Sequence, residues 1–257
     1  MVLNKLKYRN EFKHIINEAQ AVIMKSRLKA LLKSDDFTDE NGSYFVRSLY
    51  FDTYDDRALA EKYDGVPLRY KYRIRFYNHD PSMIRLENKI KHLNSTSKLN
   101  ARLTKEEVEY ILNGNYGFLK NQKNQKNWEN PENPENPENS KDLESPVKQS
   151  FYQELTGGGL VPQTAVDYVR TPFVYPHGNV RITIDSDIRC PVAQGSQGNN
   201  FDIFNPNTPT VSVFPDGRCV MEVKYDEFIP DFINKIVRVE NAITAPTSKY
   251  ALCRKFV

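Results

Sequence analysis

The sequence predicts an α+β fold: antiparallel strands closed into a barrel or tunnel with a charged interior, and helices packed outside. The first observation behind this is residues 68–91, LRYKYRIRFYNHDPSMIRLENKIK. Arg69, Lys71, Arg73 and Arg75 alternate with Tyr70, Tyr72, Ile74 and Phe76. On a strand, one face then carries four cations and the other is aromatic and aliphatic. The next run sets Ile84, Leu86 and Ile90 against Arg85, Glu87, Lys89 and Lys91, and Asn78-His79-Asp80-Pro81 joins the two as a turn. Alone, this is a surface hairpin with its charged face in water. The second observation is recurrence, since at least five strands place Arg, Lys and an occasional Glu at every second position. Repeated across a sheet, the charged faces converge on one interior. Roughly ten cations buried together are prohibitively unfavourable unless an anion compensates them. The third observation is the scatter of carboxylates among those cations, which suits a hard divalent metal bridging phosphate oxygens. The physical reading is a solvated, polyanion-binding tunnel with a small acidic cluster.

Length and composition bound this reading. At 257 residues, with 39% hydrophobic and 12% aromatic residues, the chain can build a core as one large domain or two small ones. A net charge of +3 demands neither nucleic acid nor membrane, so the arrangement of charge matters more than its sum. Cys190, Cys219 and Cys253 are an odd number without metal-like spacing, which points to a reducing compartment. With no apolar run of membrane-span length and no signal-peptide pattern, a cytoplasmic location is expected.

Taken in order, Arg9, Glu11 and Lys13 share one face of an opening strand. A helix follows, with Asn17 as N-cap, Gln20 three residues on, and Ala19, Val22, Ile23, Ala30 and Leu31 as its apolar stripe. Residues 44–51 form a strand and 57–63 a short helix stopped before the charged hairpin. Thr104, with Glu107 in the capping-box position, opens a helix to about Leu112 that Gly114 and Gly117 terminate. Residues 121–146 repeat Asn-Gln-Lys and then Asn-Pro-Glu. They lack apolar content, and their prolines oppose helix and ladder, so they read as a solvated insertion containing Trp128. A helix over 146–155 ends at Gly157-Gly158-Gly159, a helix stop rather than a phosphate loop because no Gly-Lys-Ser/Thr follows. Residues 163–174 and 179–188 make a second hairpin. Val166, Tyr168 and Arg170 share a face of its first strand; Arg181, Thr183, Asp185 and Asp187 share one of its second. On the last strand, 218–226, Arg218, Glu222, Lys224 and Asp226 point together. Pro230 opens a short helix at its first position, and Thr247-Ser248-Lys249-Tyr250 leads into another.

At this point the chain resembles the VTC domain, the polyphosphate polymerase branch of the triphosphate tunnel metalloenzyme (CYTH-like) superfamily. Eight short segments carry the resemblance in order: Arg9-Asn10-Glu11-Phe12-Lys13, Ser48-Leu49-Tyr50-Phe51-Asp52-Thr53, Lys71-Tyr72-Arg73-Ile74-Arg75-Phe76-Tyr77, Leu86-Glu87-Asn88-Lys89, Tyr168-Val169-Arg170-Thr171, Arg181-Ile182-Thr183-Ile184-Asp185, Met221-Glu222-Val223-Lys224 and Ser248-Lys249-Tyr250. The resemblance implies a single tunnel domain over 1–257, with about eight antiparallel strands around a charged interior and the 121–146 segment inserted. It implies transfer of the γ-phosphate of ATP to a growing polyphosphate chain, with Mn2+ or Mg2+. In that mapping Arg73, Arg75, Lys89, Arg170, Arg181 and Lys224 are the catalytic set. Lys13, Lys71, Glu87, Lys98, Arg102, Tyr168, Ser248 and Lys249 contact substrate, and Glu222 holds the metal. Lys98 and Arg102, in SKLNAR, match more loosely. Asn88 and His14 depart from the family pattern at positions facing away from the tunnel.

Alternatives stand beside this. Glu87 and Glu11 also suit plain salt-bridge partners, Tyr168 a core residue, and Asp185 either a metal helper or an orienter of arginine. The four histidines are scattered, and no nucleophile–base spacing appears. A triphosphatase or nucleotide cyclase would share the cationic lining. Those relatives carry Glu-x-Glu-x-Lys on the first strand, where this chain has Arg-x-Glu-x-Lys. A binding module without turnover is the third reading. Polyphosphate, triphosphate and ATP are the expected partners, with no nucleic acid; export of product would need a separate membrane partner. The oligomeric state is open.

Overall fold

The computed structural model describes residues 7–93, 95–120, 137–192, 202–239, 243–244 and 247–256. Its elements run β1 (Arg9–Ile16), α1 (Glu18–Leu31), β2 (Lys33–Ser34), β3 (Tyr44–Thr53), α2 (Arg57–Tyr63), β4 (Leu68–Tyr77), β5 (Asp80–His92), β6 (Ser95–Leu103), α3 (Lys105–Leu112), α4 (Gly117–Lys120), α5 (Pro137–Thr156), β7 (Leu160–Tyr175), β8 (Val180–Pro191), β9 (Thr210–Ser212), β10 (Cys219–Tyr225), α6 (Asp231–Ile236), β11 (Ile243–Thr244) and α7 (Lys249–Cys253). Eight strands follow one another as β7-β3-β4-β5-β6-β1-β10-β8, and β8 pairs back onto β7. Every pairing is antiparallel, and the β7–β8 pairing closes the ring, with its shortest seam between β6 and β1, where only Arg9–Thr96 and Asn10–Ser95 pair.

Alternation decides what lies inside. The outward residues Ile74, Phe76, Ile84, Leu86, Leu99 and Leu103 pack under α3, α4 and α5 against Val108, Ile111, Leu119, Val147 and Phe151. On the other side Ile182, Ile184, Met221 and Val223 pack under α1 and α6. The core is therefore outside the barrel, between sheet and helices. The tight turn between β4 and β5 is only Asn78-His79, both at positive φ (49° and 56°), because β5 already starts at Asp80. Gly178, in the β7–β8 turn, has φ +73°, and a Cβ there would sit 2.5 Å from the Phe228 carbonyl.

Both capping boxes are present, Asn17 with Gln20 and Thr104 with Glu107. Five local readings need correction. In α1 the buried residues are Ala21, Met24 and Leu28, whereas Val22, Ile23 and Leu31 are exposed. The helix has two overlapping apolar stripes, and the entry from β1 turns the i, i+3, i+7 set onto the sheet. Gly117 begins α4 rather than ending α3. The helix expected from 146 starts at Pro137, with Pro146 inside it. Proline at a first turn lacks no needed donor, so the end of the repeat is compatible with helix; residues 121–136, including Trp128, lie outside the described residues. Pro230 caps α6 instead of opening it. Asp187 and Arg218 leave the inward face. A register shift places Asp187 at φ +46°, paired with Arg189, while Arg218 precedes β10 and pairs with Asp216 at the surface.

The barrel has two distinct mouths. Strand direction puts α2, the β5–β6 turn and α7 at one, and the β4–β5 and β7–β8 turns at the other. Among the described residues no helix is long and apolar enough to cross a membrane.

Candidate functional site

Register alone assembles the first charge cluster. Across β1 and β10, Glu11 faces Lys224 and Lys13 faces Glu222, a checkerboard of opposite charges that favours this pairing. Lys13 Nζ lies 3.2 Å from both Glu11 and Glu222. Lys224 pairs with Glu222 and lies 3.6 Å from Glu11, and Lys89 of β5 reaches Glu11 at 3.2 Å. Burial and the neighbouring Glu222 both push the Glu11 carboxyl upward, but the three lysines outweigh them and hold it at about 2. Glu222 is likewise held well below the usual range against the pull of burial, first by Lys13 and then by Lys224.

Sheet β4-β5-β6 does the opposite. Lys71, Lys89 and Lys98 form one rung, and Arg75, Arg85 and Arg102 another. Like charges directly opposite one another are unfavourable. The rung between them, Arg73–Glu87–Asn100, supplies the relief. Glu87 is fully buried and accepts from Arg73 Nε at 2.6 Å, with Lys98 Nζ at 2.9 Å and Arg75 Nη1 at 3.7 Å. Arg73 Nη1 also donates to the Tyr50 hydroxyl at 2.9 Å. Arg75 Nε donates to Ser48 at 3.2 Å, and its Nη2 to Tyr168 at 3.3 Å.

A third cluster hangs on Asp185, also fully buried. Arg170 grips it with two bonds at 2.7 and 2.8 Å, and Lys249 of α7 approaches to 2.5 Å. Both cations also lie over the Tyr168 ring, at 5.2 and 4.8 Å from its centroid. Asp185 thus orients an arginine, one of its two expected roles. Beside Lys249, the Tyr250 ring stacks on Tyr50, and its hydroxyl donates to Asp52 at 2.7 Å. That carboxylate also accepts the Ala58 and Leu59 amides at the start of α2, so it ties α7 to the barrel.

Lys13, Arg73, Arg75, Lys89, Lys98, Arg170, Lys224 and Lys249 therefore face four interior carboxylates, Glu11, Glu87, Asp185 and Glu222. Eight cations against four anions leave an excess of four. Lys71 adds a ninth cation, without an ion pair among the described residues, over the Tyr250 ring at 5.0 Å. An excess of this size in a confined channel is what a multiply charged anion would neutralise.

Several expected residues sit differently. Arg181 is held at the mouth of the β4–β5 and β7–β8 turns by Asp35 at 2.7 Å and the Tyr44 hydroxyl at 3.1 Å. Arg102 is exposed and donates to the Ser82 carbonyl. The Ser248 hydroxyl is engaged as the N-cap of α7, accepting from the Ala251 amide, so its fixed place is at the helix end. Sequence reasoning did not single out Ser48 and Tyr50, which fix Arg75 and Arg73, or Asp52. Their shared parity on β3 was the available signal. Among the described residues no group of three His, Cys, Asp or Glu converges. Glu222, with Glu11 nearby, offers one or two carboxylates, the donor set of a divalent ion that takes its remaining ligands from phosphate and water.

With this geometry in place, the chain can be set against known proteins. A family model described as the VTC domain matches residues 8–257. The chain belongs to the VTC domain family. No match among curated proteins reaches significance. Two solved structures share the fold of this VTC domain. One is a putative adenylate cyclase from Bacillus halodurans, at 12% identity and TM-score 0.51, covering 95% of each chain. The other is a putative adenylyl cyclase from Hippeastrum, described as revealing a dominant triphosphatase activity, at 13% identity and TM-score 0.52, covering 96% of each chain.

The lysines of this VTC domain carry a pH prediction. Burial draws Lys71 down to about 8 against the pull of Asp52, and Lys62 and Arg69 add smaller shifts in the same downward direction. A lysine depressed in the free protein is recharged by a bound polyanion. Affinity for tripolyphosphate should therefore fall, by roughly tenfold, as pH rises from 7 through 9. Lys71→Met should flatten that slope in a calorimetric titration; an unchanged slope in the variant would assign it elsewhere.

Proposed function

We propose that this VTC domain is a metal-dependent polyphosphate polymerase, transferring the γ-phosphate of ATP to a growing polyphosphate chain inside the tunnel. The observation that carries the reading is the excess of interior cations over interior carboxylates. Phosphoryl transfer asks the protein mainly for in-line positioning and charge neutralisation. Arg73, Arg75 and Arg170 are the guanidinium forks suited to nonbridging oxygens, and Lys13, Lys71, Lys89, Lys98, Lys224 and Lys249 are point charges along the channel. Tyr168, between Arg75 and Lys249, is placed to donate to a phosphate oxygen. Glu222, with Glu11 beside it, would hold Mn2+ or Mg2+. When bound, the ion would neutralise charge on phosphate oxygens. Lys13 and Lys224, which occupy Glu222 otherwise, would then be free to turn to phosphate.

A triphosphatase would use the same lining with water as the nucleophile. The opening strand, Arg9-x-Glu11-x-Lys13, lacks the extra carboxylate of the tunnel hydrolases and cyclases and favours the polymerase. The deciding experiment incubates the protein with ATP and Mn2+ and follows ADP, free phosphate and long-chain polyphosphate together. ADP with polymer and little free phosphate is the expected result. Free phosphate without polymer would replace the polymerase by a triphosphatase, and tight triphosphate binding without turnover by a binding module. Glu222→Gln should remove metal-dependent turnover yet keep tripolyphosphate affinity within a few-fold; wild-type rates in that variant would take Glu222 out of the mechanism.

A further inference from the structure

The two mouths of the tunnel differ in how their cations are satisfied. At the mouth of the β4–β5 turn, Arg181 is paired with Asp35, Arg85 donates to Asn100 at 3.0 Å, and Tyr44 meets Tyr77 edge-on at 5.6 Å. At the mouth beside α2 and α7, Arg254 is paired with Asp56 at 2.7 Å, but among the described residues a neighbouring group of four cations is not paired. Arg69 and Lys91 stand directly opposite each other across β4 and β5, one rung beyond Lys71 and Lys89. Lys62 of α2 and Lys255, just after α7, complete the group: Arg69, Lys255 and Lys91 all repel the Lys62 ammonium. Among the described residues none of the four has a carboxylate within ion-pairing distance. Arg69 Nη1 donates only to the Glu61 carbonyl, at 3.3 Å, and the Lys62 ammonium lies 4.2 Å from the Tyr63 ring centroid.

Opposed like charges on neighbouring strands cost stability, and α2, β4, β5 and the segment after α7 all contribute to this cluster. It is continuous with the interior, since Lys71 feels both Lys62 and Arg69, and Lys91 feels both Arg69 and Lys13. We propose that Lys62, Arg69, Lys91 and Lys255 form a second polyanion site, a lane that takes a linear polyphosphate chain leaving the tunnel past Lys71. This rests on the reading of the tunnel as a triphosphate site and gives that reading a direction. The reacting end lies among Arg73, Arg75 and Arg170, and the chain runs out beside α7. Linear polyphosphate is favoured over nucleic acid because the lane continues the cations of the proposed triphosphate site, with Arg69 and Lys91 one rung beyond Lys71 and Lys89.

The test compares tripolyphosphate with long-chain polyphosphate by calorimetry, on wild type and on Lys62→Glu/Lys255→Glu. Both substitutions lie outside the barrel ladder. Wild type should bind the long chain more tightly than tripolyphosphate. The double variant should lose about tenfold or more in long-chain affinity, and its salt dependence should shallow by roughly one unit per cation removed. Its tripolyphosphate affinity should stay within twofold. Equal long-chain affinity in variant and wild type, with tripolyphosphate still bound, overturns the lane alone. Wild type binding neither ligand overturns the tunnel reading and the lane with it. A single-stranded oligonucleotide of equal charge that binds as tightly as the long chain, and loses the same factor in the variant, overturns the assignment to polyphosphate.

Discussion

Glu87→Ala should destabilise the free protein by about 3 kcal/mol or more, the scale seen when a buried ion pair loses one partner. Glu87 is fully buried and, among the described residues, is the only carboxylate ion-paired to Arg73 and Arg75, of which Arg75 is buried and Arg73 partly so. Burial alone would raise the Glu87 carboxyl, yet Arg73, Arg75 and Lys98 hold it well below the usual range, so it is ionised throughout the neutral region. Without it, two guanidiniums are confined with no anion, on a strand where Arg75 already faces Arg85. Lys98 is largely solvated and adds little. The same logic predicts rescue. Saturating tripolyphosphate would supply the missing anion and should raise the variant's melting temperature more than that of wild type. Urea melts with and without tripolyphosphate measure both; a variant as stable as wild type would mean that water already neutralises these arginines.

Most of what positions the site was legible because strand alternation is a local property. Arg73 and Arg75 had to share a face, opposite Ile74 and Phe76, whichever strands lay beside them. Once the closed ring is known, that face must be the inside, because the helices hold the apolar residues outside. What could not be read was which cation meets which carboxylate. The Arg170–Asp185 and Lys249–Asp185 pairs depend on how β7, β8 and α7 converge, and nothing within a few residues of Asp185 specifies it. Arg47 illustrates the limit. It lies on the outward face of β3, is almost fully buried, and holds Asp167 with two bonds while donating to the carbonyls of Ile203 and Asn205. In sequence it is one more alternating arginine, and only the long-range fold separates it from the tunnel set. The α1 misreading has a similar cause: periodicity offered two apolar stripes, and tertiary contact selected one.

That distinction between cations that hold the fold and cations left for ligand leads to the second large effect. Arg73 is committed to Glu87 through Nε at 2.6 Å and Nη2 at 2.5 Å, and to Tyr50. Arg75 approaches Glu87 only to 3.7 Å, and its hydrogen bonds, including those of 3.2 Å to Ser48 and 3.3 Å to Tyr168, go to hydroxyls rather than carboxylates. Its guanidinium is thus the less satisfied of the two. Removing it leaves Glu87 paired with Arg73 and Lys98. Arg75→Ala should therefore weaken tripolyphosphate binding by about 3 kcal/mol, roughly 100-fold, while changing stability by about 1 kcal/mol or less. Arg73→Ala should lose affinity and stability together. Calorimetric titration beside urea melts for both variants separates the cases. Unchanged affinity in Arg75→Ala, accompanied by clear destabilisation, would make that arginine part of the scaffold and place the phosphate grip on the opposite wall, with Arg170 and Lys249.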